Sequence, residues 1–216
     1  MDFLKKSILY FKKPKVIIVA INKEKSPAKI IFEVLKPRFK IQKLYEKMPD
    51  ILNLVNTEIF IIETDFKNDE FLKEMKIFLK NSQLPVLVVA YIEIVDFLQE
   101  NIRTLALEIP PYGSLVLNFD EKIIREIDKI TNLKSFSFGF SERADFMASD
   151  IIETDGSINF KLNYKGNSVP IWLNKVSDRD EIYNALSAIC VGMLLGLNIV
   201  EMSDSLKNSP SNAPIV

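Results

Sequence analysis

The sequence predicts an α/β fold: a mostly parallel sheet with helices on both faces, followed by a small antiparallel meander. Three observations predict it. As far as Lys134, unbroken apolar runs of strand length alternate with amphipathic stretches of helical period. After Lys134, three segments alternate apolar and polar residues and are separated by turn dipeptides. A strongly apolar helix then follows.

Val16 to Ile21 is an apolar run bounded by Pro14 and Asn22, as expected of a strand covered on both faces. Ile30, Ile31, Val34 and Leu35 recur at helical spacing, and Pro37 ends that helix. The pattern returns with a strand at Ile59 to Ile62, an amphipathic helix at Phe71 to Leu79 and a strand at Pro85 to Ala90. A helix over Val95 to Leu107, a strand over Ser114 to Leu117 and a short helix through Ile123 to Ile127 complete the alternating part. Strands that alternate with helices imply right-handed crossovers. Phe146 to Ile152, Ile158 to Tyr164 and Val169 to Leu173 then form the meander, with turns at Asp155-Gly156 and Gly166-Asn167. Glu181 to Leu197 is the apolar helix, with Gly196 as its cap, and a short helix near Val200 to Leu206 follows. The organisation expected is a helical lead-in over 1–14, one domain over 15–208 and a tail over 209–216.

Of the 216 residues, 48% are hydrophobic and 26% charged, the balance of an ordinary globular protein. The 28 basic and 29 acidic side chains give a net charge of -1, so nucleic acid is not an expected partner. Cys190 is the single cysteine, which rules out an internal disulfide and fits a reducing cytoplasm. There is no histidine. That removes the usual general base near neutral pH and every Ser-His or Cys-His nucleophile pair. The opening MDFLKKSILYFKKPK holds five lysines and no apolar run longer than four residues, too short for a membrane span. A short helix packed on the domain is the reading preferred for it over an interfacial basic helix.

Three segments carry a resemblance. YNALSAICVGMLLGLNIVEMSDSLKN, PPYGSLVLNFDE and SFSFGFSERADFMASDI resemble, in order and spacing, blocks of the ATP-binding central domain of the Mur ligases, most of all the D-alanyl-D-alanine-adding branch. The likeness covers Lys15 to Asn208. In that family the ATP γ-phosphate passes to a carboxylate, and an amino group attacks the acyl phosphate to form an amide. The resemblance implies a P-loop with its lysine, a strand-end glutamate for magnesium, a histidine and a modified lysine at the metal, and His and Asn residues on the adenine. It also implies a carboxy-terminal closing domain in the relatives, and in many of them an amino-terminal domain for the uridine nucleotide.

Several of these parts are absent. The loop expected to cradle phosphate reads NKEKSPAK, without the glycines that let backbone approach a phosphate. Lys25-Ser26 imitates the last two residues of the motif. Glu63 in IFIIETD matches the magnesium-binding glutamate, or is a strand-end carboxylate facing solvent. The metal-site lysine position is Ala106, although Glu108-Ile109 is retained. Asn118 and Asp120 match the Asn-x-Asp block near the nucleotide, or cap the helix that follows. Asn184 matches an adenine contact, while the pair before it is Asp180-Glu181. Tyr183 and Trp172 are candidates for stacking on a base, with the core as the plainer role. Cys190 reads as a buried small side chain.

The expectation is therefore a Mur-ligase-like central domain related to the amide-forming ligases of peptidoglycan synthesis. It is catalytically degenerate, with ATP and magnesium binding weak or lost, and it binds or regulates a protein partner such as a ligase or closing domain. The alternative is an active ATP-dependent ligase or nucleotide-binding enzyme completed by a separate closing domain. Either version is expected in the cytoplasm, without a membrane span.

Overall fold

The computed structural model describes residues 3–22, 26–92, 96–176 and 178–209, without the side chains of 96 and 97. In chain order the elements are α1 (Phe3–Lys12), β1 (Lys15–Ala20), α2 (Ala28–Leu35), β2 (Ile41–Tyr45), α3 (Ile51–Asn56), β3 (Ile59–Thr64), α4 (Asp69–Lys80), β4 (Leu84–Val89), α5 (Asp96–Glu108), β5 (Ser114–Asn118), α6 (Lys122–Ile130), β6 (Lys134–Gly139), β7 (Phe146–Thr154), β8 (Ser157–Tyr164), β9 (Asn167–Asn174), α7 (Asp180–Leu194) and α8 (Ile199–Asn208). The strands make one sheet in the order β2-β3-β1-β4-β5-β6-β7-β8-β9. Pairing is parallel from β2 to β7 and antiparallel from β7 to β9.

The apolar runs mark the strands that two layers cover. In β1, Ile17 and Val19 enter one core with α2, α7, α8 and the inner side of the β7–β9 extension. Val16, Ile18 and Ala20 enter a second core with residues of α1, α3, α4, α5 and α6. Each fully buried Val or Ile contributes about 1.5–3 kcal/mol relative to exposure, so β1, β3 and β4 hold the layers together. Three elements escaped the sequence reading. β2 is an edge strand with one buried residue, Leu44, and α3 is a six-residue helix that buries Leu54 alone. β6 alternates Ser and Phe because one of its faces is covered: Phe138 is core, with Phe136 packed on it.

The meander needs one correction. β7 begins parallel to β6, through Phe138↔Phe146 and Gly139↔Met147, and only then pairs antiparallel with β8. A six-residue connection suffices because the chain bends round its own strand end instead of crossing the sheet. Asp145 fixes the bend by accepting from the Ser137 N–H at 2.9 Å and the Ser137 hydroxyl at 2.7 Å. The second hairpin turns on Lys165-Gly166, with φ of 48° and 76°, one residue earlier than the sequence suggested. Both central residues are left-handed, as a two-residue hairpin of this twist requires. α7 stops at Leu194, short of the expected Leu197. Gly196, at φ 80°, lets Leu197 N–H reach the Gly192 carbonyl at 2.9 Å and Gly196 N–H the Met193 carbonyl at 3.2 Å. That pair of bonds closes the helix end before α8.

Candidate functional site

The strand order reverses about β1, with β3 and β2 on one side and β4 and β5 on the other. In open α/β sheets ligands lie at such a reversal, outside the carboxyl ends of the strands. Glu63, Ser26, Asn118 and Asp120 all lie at or just past those ends. Lys25, with residues 23 and 24, lies outside the described residues, so the expected phosphate cradle is seen at its two ends.

Ser26 closes the entrance to α2. The helix starts on Pro27, which has no side-chain cap, and the Ser26 hydroxyl accepts from Ala28 N–H at 3.2 Å instead. The same hydroxyl donates to Glu63 Oε1 at 2.5 Å. Glu63 is opposite Val19 in the β1–β3 register and 8% exposed. The reading of Glu63 as a solvent-facing carboxylate is therefore corrected. A carboxylate buried this far needs donors, and the first βα loop supplies one.

Beside it Asp65, from the same IFIIETD segment, pairs with Glu46, which the sequence did not single out. Glu46 follows β2, and its Oε1 accepts from the Thr64 hydroxyl at 3.1 Å and Asp65 N–H at 3.3 Å. Burial, and then a hydrogen bond shared with the Asp65 carboxyl, push Glu46 above the ordinary carboxylate range. Burial opposes ionisation of Asp65 too, yet the Lys67 N–H and ammonium hold it below its ordinary value. Glu46 was missed because β2 was missed; only the tertiary pairing of β2 with β3 brings it to Asp65.

Asn118 and Asp120 do not cap α6, whose cap residue is Glu121 without a side-chain bond. The alternative role offered for them is thereby corrected. Asn118 Nδ2 donates to the Ala90 carbonyl at 3.0 Å and its Oδ1 accepts from Asp120 N–H at 3.0 Å, tying the ends of β4 and β5. The Asp120 carboxylate accepts from Phe140 N–H at 2.7 Å, Ser141 N–H at 3.1 Å and the Tyr183 hydroxyl at 3.0 Å. Gly139 is required there, because a Cβ would sit 2.5 Å from Asp120 Oδ2.

Asn184, in α7, accepts from the Tyr91 hydroxyl at 3.1 Å and donates to Glu181 at 3.3 Å; Tyr91 also donates to the Asp180 carbonyl at 2.8 Å. The Tyr91 and Tyr183 rings meet edge to face at 6.4 Å. Burial raises both phenols well above the ordinary tyrosine value, helped by Asp180 at Tyr91 and by Asp120 at Tyr183. Both therefore remain donors. Asn118, Asp120 and, through the two tyrosines, Asn184 thus form one assembly, and Ser26 with Glu63 forms another. Among the described residues no hydrogen bond joins the two.

The remaining candidates sit elsewhere. Trp172 is 41% exposed on β9, and Cys190 is fully buried in α7, where burial raises its thiol. Ala106 is buried in the core face of α5, and Glu108 pairs with Lys80 at 2.8 Å and Lys76 at 3.6 Å. A cleft of about 420 Å³ opens between β5, β6 and α6, lined by Asn118, Phe119, Arg125 and Lys129 among others.

An open α/β sheet with polar groups gathered at the carboxyl ends of its strands, extended by an antiparallel hairpin pair, defines a domain of P-loop-like architecture. Residues 98–192 match the model of the Mur ligase middle domain, so that part of the chain is similar to the domain. A UDP-N-acetylmuramate–L-alanine ligase of Persephonella marina is 24% identical over 151 residues, covering 70% of this chain and 32% of that ligase. The ligase of the same name from Chlorobaculum tepidum is 34% identical over 102 residues, covering 47% of this chain and 22% of its own. Among solved structures, the UDP-N-acetylmuramoylalanyl-D-glutamyl-2,6-diaminopimelate–D-alanyl-D-alanyl ligase of Acinetobacter baumannii superposes with a TM-score of 0.76 at 16% identity, over 97% of this chain and 49% of that one. A MurF ligase of Thermotoga maritima in complex with ADP gives 0.71 at 18% identity, over 92% and 50%. The structural likeness is one of fold. The chain spans about a third of the length of the first curated relatives it matches and about half that of the structures.

Proposed function

We propose that this domain is a pseudoenzyme: a Mur-ligase-type central domain that no longer turns over ATP and acts by binding or regulating a protein partner, such as a ligase or a closing domain. The observation that carries this reading is the direct bond from Ser26 to Glu63. The resemblance assigns Glu63 to magnesium, and here its Oε1 accepts from the loop serine. The other parts agree with that disposition. The loop from 22 to 29 has no glycine, the chain has no histidine, and Ala106 offers no ligand. Among the described residues no three His, Cys, Asp or Glu side chains gather as a metal site. Asp120 and Asn184 likewise spend their polar atoms on neighbours. These residues do not fit a magnesium nucleotide.

The test is calorimetric titration of the chain with ATP and with ADP, each with magnesium, beside an assay of ATP hydrolysis. No micromolar binding and no phosphate release above that of the denatured protein are expected. Magnesium-dependent binding in the micromolar range would overturn the reading. A second reading, an active ligase completed by another domain, draws on the same pair: Glu63 and Ser26 still meet where the relatives would place a metal. It predicts that Glu63→Ala abolishes nucleotide binding or amide formation in the presence of a closing domain.

A further inference from the structure

α1 packs on the domain as expected, through Leu9 and the partly buried Ile8, and turns a second apolar stripe to solvent. Leu9 is its one buried residue, whereas Phe3 is 86% exposed, Phe11 83%, Tyr10 62% and Leu4 56%. At about 100° per residue these four side chains and Ser7 fall within about 120° of arc, on the side away from Leu9. Lys6 lies about 40° beyond one edge of the stripe; beyond the other come Ile8, partly buried against the core, and then Lys12, and no acidic residue occurs between Phe3 and Lys12. Lys13 follows at the helix end, its Nζ 5.8 Å from the centre of the Tyr10 ring. Neighbouring α3 also leaves Leu52 at 75% and Val55 at 49% exposure. Contiguous exposed apolar side chains of this kind mark an interaction surface.

We propose that α1 is an interfacial anchor that seats the domain on bilayers carrying anionic phospholipid. The whole chain has a net charge of -1, so the cluster at 5, 6, 12 and 13 is a local concentration of positive charge on a near-neutral molecule. An aromatic stripe with Lys6 at its edge and Lys12 and Lys13 at the helix end matches a membrane interface. The rings enter the acyl boundary, while lysine stems lie along the apolar surface and their ammonium groups reach the phosphates. A protein surface would need carboxylates placed to meet each lysine, whereas an anionic leaflet offers negative charge everywhere around the stripe. With ten residues the helix lies in the plane and does not cross, and no described helix is long and apolar enough to span. The inference is independent of the nucleotide site.

The experiment is flotation of the whole chain with vesicles of phosphatidylglycerol and phosphatidylcholine, against phosphatidylcholine alone, at low and high salt. Binding to the anionic vesicles at low salt, weakened by salt, is expected. Phe3→Ser with Phe11→Ser should weaken it about tenfold or more, since each ring loses its apolar burial. Lys6→Glu with Lys12→Glu should remove the salt-sensitive part. Both pairs are exposed, so unchanged melting temperatures will show that the variants fold. Absence of vesicle binding would overturn the proposal, as would equal binding to neutral vesicles. Self-association in sedimentation velocity that disappears in the Phe3→Ser/Phe11→Ser variant, without vesicle binding, would overturn it in favour of a second copy of the chain.

Discussion

Asp120 shows most clearly what a single residue does here. Three donors converge on its carboxylate from two elements that follow it by twenty and more positions in the chain, β6's trailing turn and α7. Asp120→Ala leaves two N–H groups and a phenol without their acceptor. A loss of about 2–4 kcal/mol in urea denaturation is expected, because abandoned donors cost more than the bonds themselves contribute. The sequence located this residue but suggested the wrong local job for it, since its partners are contiguous only after folding. Glu46 gives the opposite case. Its carboxyl titrates above its ordinary value of 4.5 in the folded protein. The folded state thus holds that proton more tightly than the unfolded state, and stability falls as pH rises from about 4.5 through the folded value. Glu46→Gln keeps the acceptor for Thr64 and Asp65 and cannot ionise. Its melting temperature should exceed that of the parent protein at pH 7, with the difference vanishing near pH 4.

Elements were legible wherever their burial was lopsided or complete. β1, β3, β4 and β5 have both faces covered and read as apolar runs, whereas β2 at the sheet edge buries Leu44 alone and gives no such signal. β6 lies between these cases, with its phenylalanines inward and its serines toward the cleft beside α6. α7 is the element on which the two layouts, parallel sheet and hairpin extension, are joined, for it packs in one core with residues of both. Ile189 is fully buried in it. Ile189→Ala should cost about 2–5 kcal/mol through lost burial and the cavity left behind, while Lys122→Ala on the exposed start of α6 should change stability by less than about 0.5 kcal/mol. Comparable losses for the two in chemical denaturation would contradict this account of α7.

At the scale of the whole molecule the nine strands are one sheet, and the inner side of β7–β9 shares a core with α2 and α7. That arrangement predicts one cooperative transition. Trp172, the single tryptophan, lies on β9 and reports on the extension, while far-ultraviolet circular dichroism reports on the helices. Coincident urea midpoints are expected from the two probes. A fluorescence transition that precedes the loss of helix would show that the extension unfolds on its own.

The sequence by itself determined the layering and carried the resemblance. Covered strands must be apolar along their length, turns must contain residues that tolerate left-handed backbone, and the blocks around Asn118, Gly139 and Asn184 survive as local strings. Tertiary structure decided how the polar groups at the strand ends are spent. Whether Glu63 meets water, a metal or Ser26, and whether Asp120 caps a helix or holds a distant turn, depends on which loops the sheet order brings together. A hydrogen bond acts over about 3 Å in space and is blind to separation along the chain, so no reading of neighbours in sequence reaches it.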